Sequence, residues 1–153
     1  MKSPRVKCVV NTCTHWMYGN HCTAANIDIL NEEVGKMSQY KQQTECKTFA
    51  ERRGLSNILG SMDNKNWYGF AEELLGVDRR LNPTVTCIVD TCKYWDKGNI
   101  CAAEAIEVTG RNAKECQQTN CETFEFNQRE SMEAQNQQQQ KENTAENQKL
   151  QQN

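Results

Sequence analysis

The sequence is short of what one large core needs. Across 153 residues, hydrophobic side chains make up 37% and aromatic ones only 7%, with 2 prolines, 8 glycines and 2 histidines. Small units that bury so little apolar surface ordinarily rely on a metal, on disulfides or on a partner for stability. No apolar run is long enough to cross a bilayer. The opening Met1-Lys2-Ser3-Pro4-Arg5-Val6-Lys7 lacks the apolar stretch of a secretory leader. The chain is therefore expected in the cytoplasm, with incorporation into a spore as the exception. A basic surplus is missing as well. The 18 lysines and arginines are outnumbered by 20 carboxylates, for a formal net charge of −2. Nucleic-acid binders usually carry the opposite balance, so nucleic acid is not favoured as a partner.

What the chain does have is cysteine, 9 residues of it. In a reducing compartment, patterned cysteines more often bind metal than pair with each other. Their pattern here is a tandem repeat. Cys8-Val9-Val10-Asn11-Thr12-Cys13 matches Cys87-Ile88-Val89-Asp90-Thr91-Cys92 without a gap, and Trp16 matches Trp95. Gly19-Asn20-His21-Cys22 then matches Gly98-Asn99-Ile100-Cys101. A short alternating stretch follows in both copies, Ile27-Asp28-Ile29 and Ile106-Glu107-Val108. The last block is Gln42-Gln43-Thr44-Glu45-Cys46-Lys47-Thr48-Phe49 against Gln117-Gln118-Thr119-Asn120-Cys121-Glu122-Thr123-Phe124. Self-similarity of this kind marks a repeated structural unit.

Each unit thus holds four matched cysteines, Cys8, Cys13, Cys22 and Cys46, then Cys87, Cys92, Cys101 and Cys121. Four thiolates complete a tetrahedral zinc shell. The first pair has the short spacing of a zinc knuckle. The Gly-Asn dipeptides suit a turn that reaches positive φ and returns the third cysteine to the pair. Two zinc ions per chain are expected; iron is not excluded by the spacing, and disulfides are the alternative to metal. A structural zinc site contributes about 10–16 kcal/mol near neutral pH, so a metal-free unit is expected to be largely unfolded.

The openings Cys-x-Val-x-x-Cys-x-x-Trp, the Gly-Asn-x-Cys-x-Ala-x-x-Ile stretches and the Thr-x-Cys-x-Thr-Phe endings resemble the small cysteine-rich family catalogued as domain of unknown function 1540. The resemblance spans Cys8 to Phe49 and Cys87 to Phe124. It implies a cysteine-bound metal and a spore-forming host of the Bacillus or Clostridium type. It implies no particular activity, because the family carries no assigned one.

Other candidates weigh less. His15 and His21 are replaced by Tyr94 and Ile100 in the second copy, which argues for packing or surface roles over a catalytic pair. No nucleophile comes with a positioned base and an oxyanion stabiliser, so the chain is read as no enzyme. Cys116 is the ninth cysteine; Lys41 stands at its place in the first copy. It is an extra ligand, a reactive thiol, a link to another chain or a plain free thiol. Trp16, Phe49, Trp95 and Phe124 are expected to form a miniature core in each unit.

The fold class expected is small α+β, as zinc-knuckle-like metal-bound modules in two tandem repeats. Residues 1–50 form the first module and 85–126 the second. Short strands are placed around Cys8–Cys13 and Ile27–Ile29 and their equivalents, with a turn or helix before each fourth cysteine. Residues 51–84 read as an amphipathic helical connector, with Leu55, Ile58, Leu59 and Met62, then Trp67, Phe70, Ala71, Leu74 and Leu75, at helical spacing and Gly76 as the stop. Residues 127–153 are rich in Gln and Asn and are expected to be disordered or a frayed helix. The function expected is a metal-stabilised binding or interaction module, meeting a protein partner or a second copy of itself, with no membrane contact. The alternative is a structural protein of a spore layer, cross-linked through disulfides.

Overall fold

The structure, a computed structural model, describes residues 3–75 and 81–128 and eight further positions between 132 and 144. It is a small mixed α+β arrangement of short elements. The first copy supplies β1 (Arg5–Cys8), β2 (Trp16–Met17), β3 (His21–Cys22), β4 (Asn26–Asn31) and β5 (Thr44–Cys46). The second supplies β6 (Thr84–Cys87), β7 (Trp95–Asp96), β8 (Ile100–Cys101), β9 (Ala105–Thr109) and β10 (Asn120–Cys121). Between the copies lie α1 (Leu55–Gly60) and α2 (Trp67–Leu74). The Gly76 stop and most of the 127–153 tail lie outside the described residues.

Local structure repeats with the sequence. The turns between β2 and β3 and between β7 and β8 need positive φ at two successive residues. Gly19 and Asn20 supply 84° and 61°, and Gly98 and Asn99 supply 89° and 60°. Glycine lacks the Cβ that penalises this region, and asparagine tolerates it best among the rest. A single 3-10 turn, Lys41–Gln43 or Cys116–Gln118, precedes each fourth cysteine.

One expectation is corrected. The first strand of each copy ends at Cys8 or Cys87, and the chain does not run extended on to Cys13 or Cys92. Instead it turns back on itself, with Cys13 N–H bonding Val10 O at 3.1 Å and Cys92 N–H bonding Val89 O at 3.0 Å. The reason is geometric. A strand rises about 3.3 Å per residue, so five extended residues would carry the paired cysteines roughly 16 Å apart.

The two copies do not fold side by side; they exchange strands. β1 of the first copy runs parallel to β9 of the second, with Val6 opposite Ile106 and Cys8 opposite Val108. β4 of the first copy runs parallel to β6 of the second, with Ile27 opposite Val85 and Ile29 opposite Cys87. These are the same repeat positions seen from each side. The connecting hydrogen bonds are reciprocal too. Val9 N–H reaches Val108 O and Ile88 N–H reaches Ile29 O, both at 3.0 Å. Arg5 N–H reaches Glu104 O and Thr84 N–H reaches Ala25 O, both at 2.9 Å. The copies are therefore related by a pseudo-two-fold axis, and each completes the other's sheet.

A single buried cluster results. Val10, Ile27 and Ile29 pack with Val89, Ile106 and Val108, each 1–3% exposed, amid the eight matched cysteines. Here a second expectation is corrected: Trp16, Phe49, Trp95 and Phe124 do not form a core in each module, but lean half-buried on this shared one. Trp16 and Trp95 lie in the two-residue strands β2 and β7, outside the β1–β9 and β4–β6 pairs that carry the core.

The connector is tied to the first copy at its centre. Ala25 N–H bonds Asn64 O at 2.9 Å and Asn66 N–H bonds Thr23 O at 2.8 Å, while Asn64 Nδ2 donates to Asn26 O at 2.8 Å. Asn66 caps α2 by accepting from Gly69 N–H at 2.9 Å. The helices leave Leu55, Leu59, Trp67, Tyr68 and Leu74 exposed.

A shared core should unfold as one unit. Ile106→Ala, in the second copy, is expected to cost about 3 kcal/mol. In a chain with Trp67 and Trp95 replaced by phenylalanine, Trp16 fluorescence in the first copy should report that loss in full. A Trp16 transition unmoved by the substitution would show that the copies unfold separately.

Candidate metal centres

Each set of four cysteines surrounds one small cavity. Cys8, Cys13, Cys22 and Cys46 line the first, with Val6, Val10, Ile27 and Phe49 around them. Cys87, Cys92, Cys101 and Cys121 line the second, with Val85, Val89, Ile106 and Phe124. All eight cysteines are buried. Either cavity has an open volume of ≈ 20 Å³, room for a single ion or water molecule and nothing larger.

The elements that deliver the cysteines are the same in both. The end of β1 or β6 carries the first and the tight turn after it the second. The glycine-asparagine hairpin returns the third, and β5 or β10 brings the fourth from a distant segment. Thr12 holds the turn from outside by donating to Ala113 O at 2.5 Å, and Thr91 does the same to Ser38 O at 2.6 Å. Each of these bonds crosses between copies.

Burial pushes the Cys8, Cys87 and Cys121 thiols up to about 12, and the neighbouring cysteines push in the same direction. Cys22, Cys46 and Cys101 are raised by the same causes. Against this, backbone N–H groups two residues ahead point at the sulfurs. Val10 serves Cys8, Ala24 serves Cys22 and Thr48 serves Cys46; Val89, Ala103 and Thr123 serve their counterparts. A donor aimed at sulfur favours the thiolate. Phe124 N–H also serves Cys121, so three such donors reach the first ring and four the second, partly offsetting the burial that keeps the sulfurs protonated.

The donor set fits a soft divalent ion. Thiolates select zinc, iron–sulfur units and monovalent copper over hard cations. The sulfurs ring each cavity in an open arrangement: among the described residues, no group of three or more cysteine, histidine or carboxylate side chains stands at ion-holding geometry. All nine cysteines are free thiols.

His15 lines the first cavity and is only 3% exposed, with its pKa lowered by burial and by the Lys65 charge. Tyr94 occupies the matching place in the second. Both are walls of the cavity. His21 lies in β3, half-buried, and lines neither.

Cys116 lies outside both rings and is half-exposed. Its Sγ is 3.9 Å from Lys47 Nζ and 3.3 Å from Gln117 Oε1. Burial and then the Glu45 carboxylate raise its pKa, and Lys47 opposes them. Two further residues matter at the rings and were given no role from sequence. Thr44 and Thr119 each line the cavity of the opposite copy. Both fall in the block that matches between repeats, which was the available signal.

A second feature lies beside the first ring. Trp16, Met17, Ile58, Met62, Trp67 and Phe70 line an open groove of ≈ 350 Å³ between the first copy and the connector. Arg52 stacks over Trp16, and Lys65 sits over both Trp67 and Phe70. Among the described residues, no helix is long and apolar enough to cross a membrane.

The pattern of the family described as Domain of Unknown Function (DUF1540) matches residues 6–49 and 85–124, more than half of the chain. A Bacillus subtilis (strain 168) protein described as uncharacterised protein YtzL is 46% identical over 43 residues, 26% of this chain and 83% of its own length. No solved structure matches.

Thiol access follows from the geometry. Under native, reducing conditions, iodoacetamide should modify Cys116 first, giving one adduct per chain that a Cys116→Ser variant lacks. The eight ring cysteines should react only after denaturation. Fast labelling of any ring cysteine in the native protein would contradict the burial described here.

Proposed function

The chain belongs to the DUF1540 family, and from its two cysteine rings we propose that it is a metal-stabilised interaction protein holding two zinc ions. The observation that carries this reading is the gathering of four buried cysteines, with at least three sulfur-directed backbone N–H groups, around an ion-sized cavity in each copy. The ligands are Cys8, Cys13, Cys22 and Cys46 in one site and Cys87, Cys92, Cys101 and Cys121 in the other. When bound, the ion would offset half the charge of four thiolates and tie together four separate segments of the chain. Closed shells of four sulfurs leave no open position for substrate, so the metal's role is structural.

Contact with a partner falls to the surface that the metal sites support. The exposed aromatic groove and the exposed Leu55, Ile58, Leu59, Tyr68 and Leu74 of α1 and α2 make an apolar face. Contiguous apolar faces of this kind mark sites of protein association. The partner is another protein or a second copy of the chain.

Metal analysis tests the reading directly. Protein purified under reducing conditions should carry two zinc ions per chain. A chelator should collapse the fold, and reductant should leave it intact. A chain that holds no metal and unfolds in reductant is a disulfide-linked structural protein instead.

Protons give an independent check. Cysteine thiols keep their protons at neutral pH in the metal-free chain, whether burial holds them up to about 12, as at Cys8, Cys87 and Cys121, or unfolding returns them to the ordinary value of ~8.5. Binding displaces those protons, so lower pH favours the metal-free state and apparent affinity climbs as pH rises. Titration in weakly buffered solution should release roughly four protons per ion. Release of none would show that the sulfurs do not take the metal.

A further inference from the structure

Resting on the zinc reading above, we infer that each metal shell is closed by a positioning residue from the opposite copy. Thr44 of the first copy sets Cys121 of the second site, and Thr119 of the second copy sets Cys46 of the first. The bonds are reciprocal. Cys121 N–H donates to Thr44 Oγ1 at 2.9 Å, and Cys46 N–H donates to Thr119 Oγ1 at 2.9 Å. Both threonines are buried, at 0% and 1% exposure.

Each hydroxyl is fixed at both ends. Thr44 Oγ1 donates to Lys41 O and Thr119 Oγ1 donates to Cys116 O, each at 2.6 Å, within the 3-10 turn of its own copy. With its proton committed there, the oxygen has only lone pairs to offer, and they face the cysteine N–H of the other copy. Serine could keep this arrangement; valine, of the same shape, could not.

The fourth cysteine is the one that most needs outside support. β10 is two residues long and pairs with β9 at only Asn120 and Cys121, and β5 is three residues long. Strands this short hold their position weakly by themselves. The threonine from across the axis supplies the missing constraint. The opposite copy also walls each cavity, with Val108 and Thr119 at the first and Ile29 and Thr44 at the second. Ordering β5 through Cys46 therefore orders Thr44, which holds the last ligand of the other site. The two ions should load cooperatively, with no contact between them.

Full-length zinc-loaded protein is challenged with a competing chelator. The freed thiols are alkylated and located by peptide mass spectrometry, so the two sites report separately. Thr44→Val should speed release from the second site about tenfold, the scale of one lost buried hydrogen bond. It should affect the first site less. Thr119→Val is the mirror arm and should free the first site. Thr44→Ser and Thr119→Ser, mild changes that keep the hydroxyl, should leave both sites near wild type. Wild-type protein without zinc overturns both readings. Two zinc ions with loss confined to the site in the substituted copy, or serine no better than valine, overturns this inference alone.

Discussion

Everything in this fold depends on the parallel exchange of strands between copies. β1 needs β9 and β4 needs β6; without them, Val6, Ile27, Val85 and Ile106 would lie on open sheet edges. Parallel strands cannot be joined by a tight turn and require a long crossover. Here the crossing links are the repeats themselves and the connector. The cysteine rings hang on this frame, because the first cysteine of each ring ends a strand that the other copy holds in place.

The exchange also changes what metal binding means for stability. A lone four-cysteine module would be folded by its ion and little else, which is what composition alone suggests. In the structure, the aliphatic core is continuous across both copies, and the cysteines of both rings are part of it. On the proposed reading, the ion would act on a frame that already buries some apolar surface. Its effect at one end would be carried to the other through β4, β6 and the threonine bonds. Linkage of this kind requires only a shared structure whose order both ions favour.

Much of the local structure was legible. Cysteine spacing, the Gly-Asn turns and the alternation of Ile27 with Ile29 and Ile106 with Val108 each point to one element. A positive-φ turn leaves a signature in two adjacent residues, and a half-buried strand leaves one in alternate residues. The exchange leaves none. Val6 and Cys8 show that β1 has a buried face, but no local pattern says whether that face meets β4 of its own copy or β9 of the other. The same holds for Thr44 and Thr119. Their place in a block matched between copies marks them as needed by the unit, while the partner each serves lies more than 70 residues away. Placing a strand through Cys13 failed for a different reason. Val9 and Val10 favour extended structure locally, and the closure of the ring overrides that preference.

The differences between the copies show that each is fitted to the other and not to itself. Lys41 pairs across the axis with Glu122. In the mirror position Cys116 meets Lys47. Two first copies facing each other would set Lys41 against Lys47, like charges at a crossing point. Two second copies would set Cys116 against Glu122 and lose the ion pair. The Asn11 side chain likewise bonds both the side chain and the N–H of Asn112, whereas the mirror positions hold Asp90 and Met37. An exposed ion pair is worth little alone. As a set, though, these contacts favour one arrangement, first copy with second, over either self-pairing. Joining the copies in one chain keeps the complementary partner always at hand. It also frees the two halves to diverge at the axis. A symmetric dimer cannot do this, because any change would appear on both sides at once. Cys116 is such a change: a half-exposed thiol on one side of the axis, where the other side keeps a lysine and its ion pair.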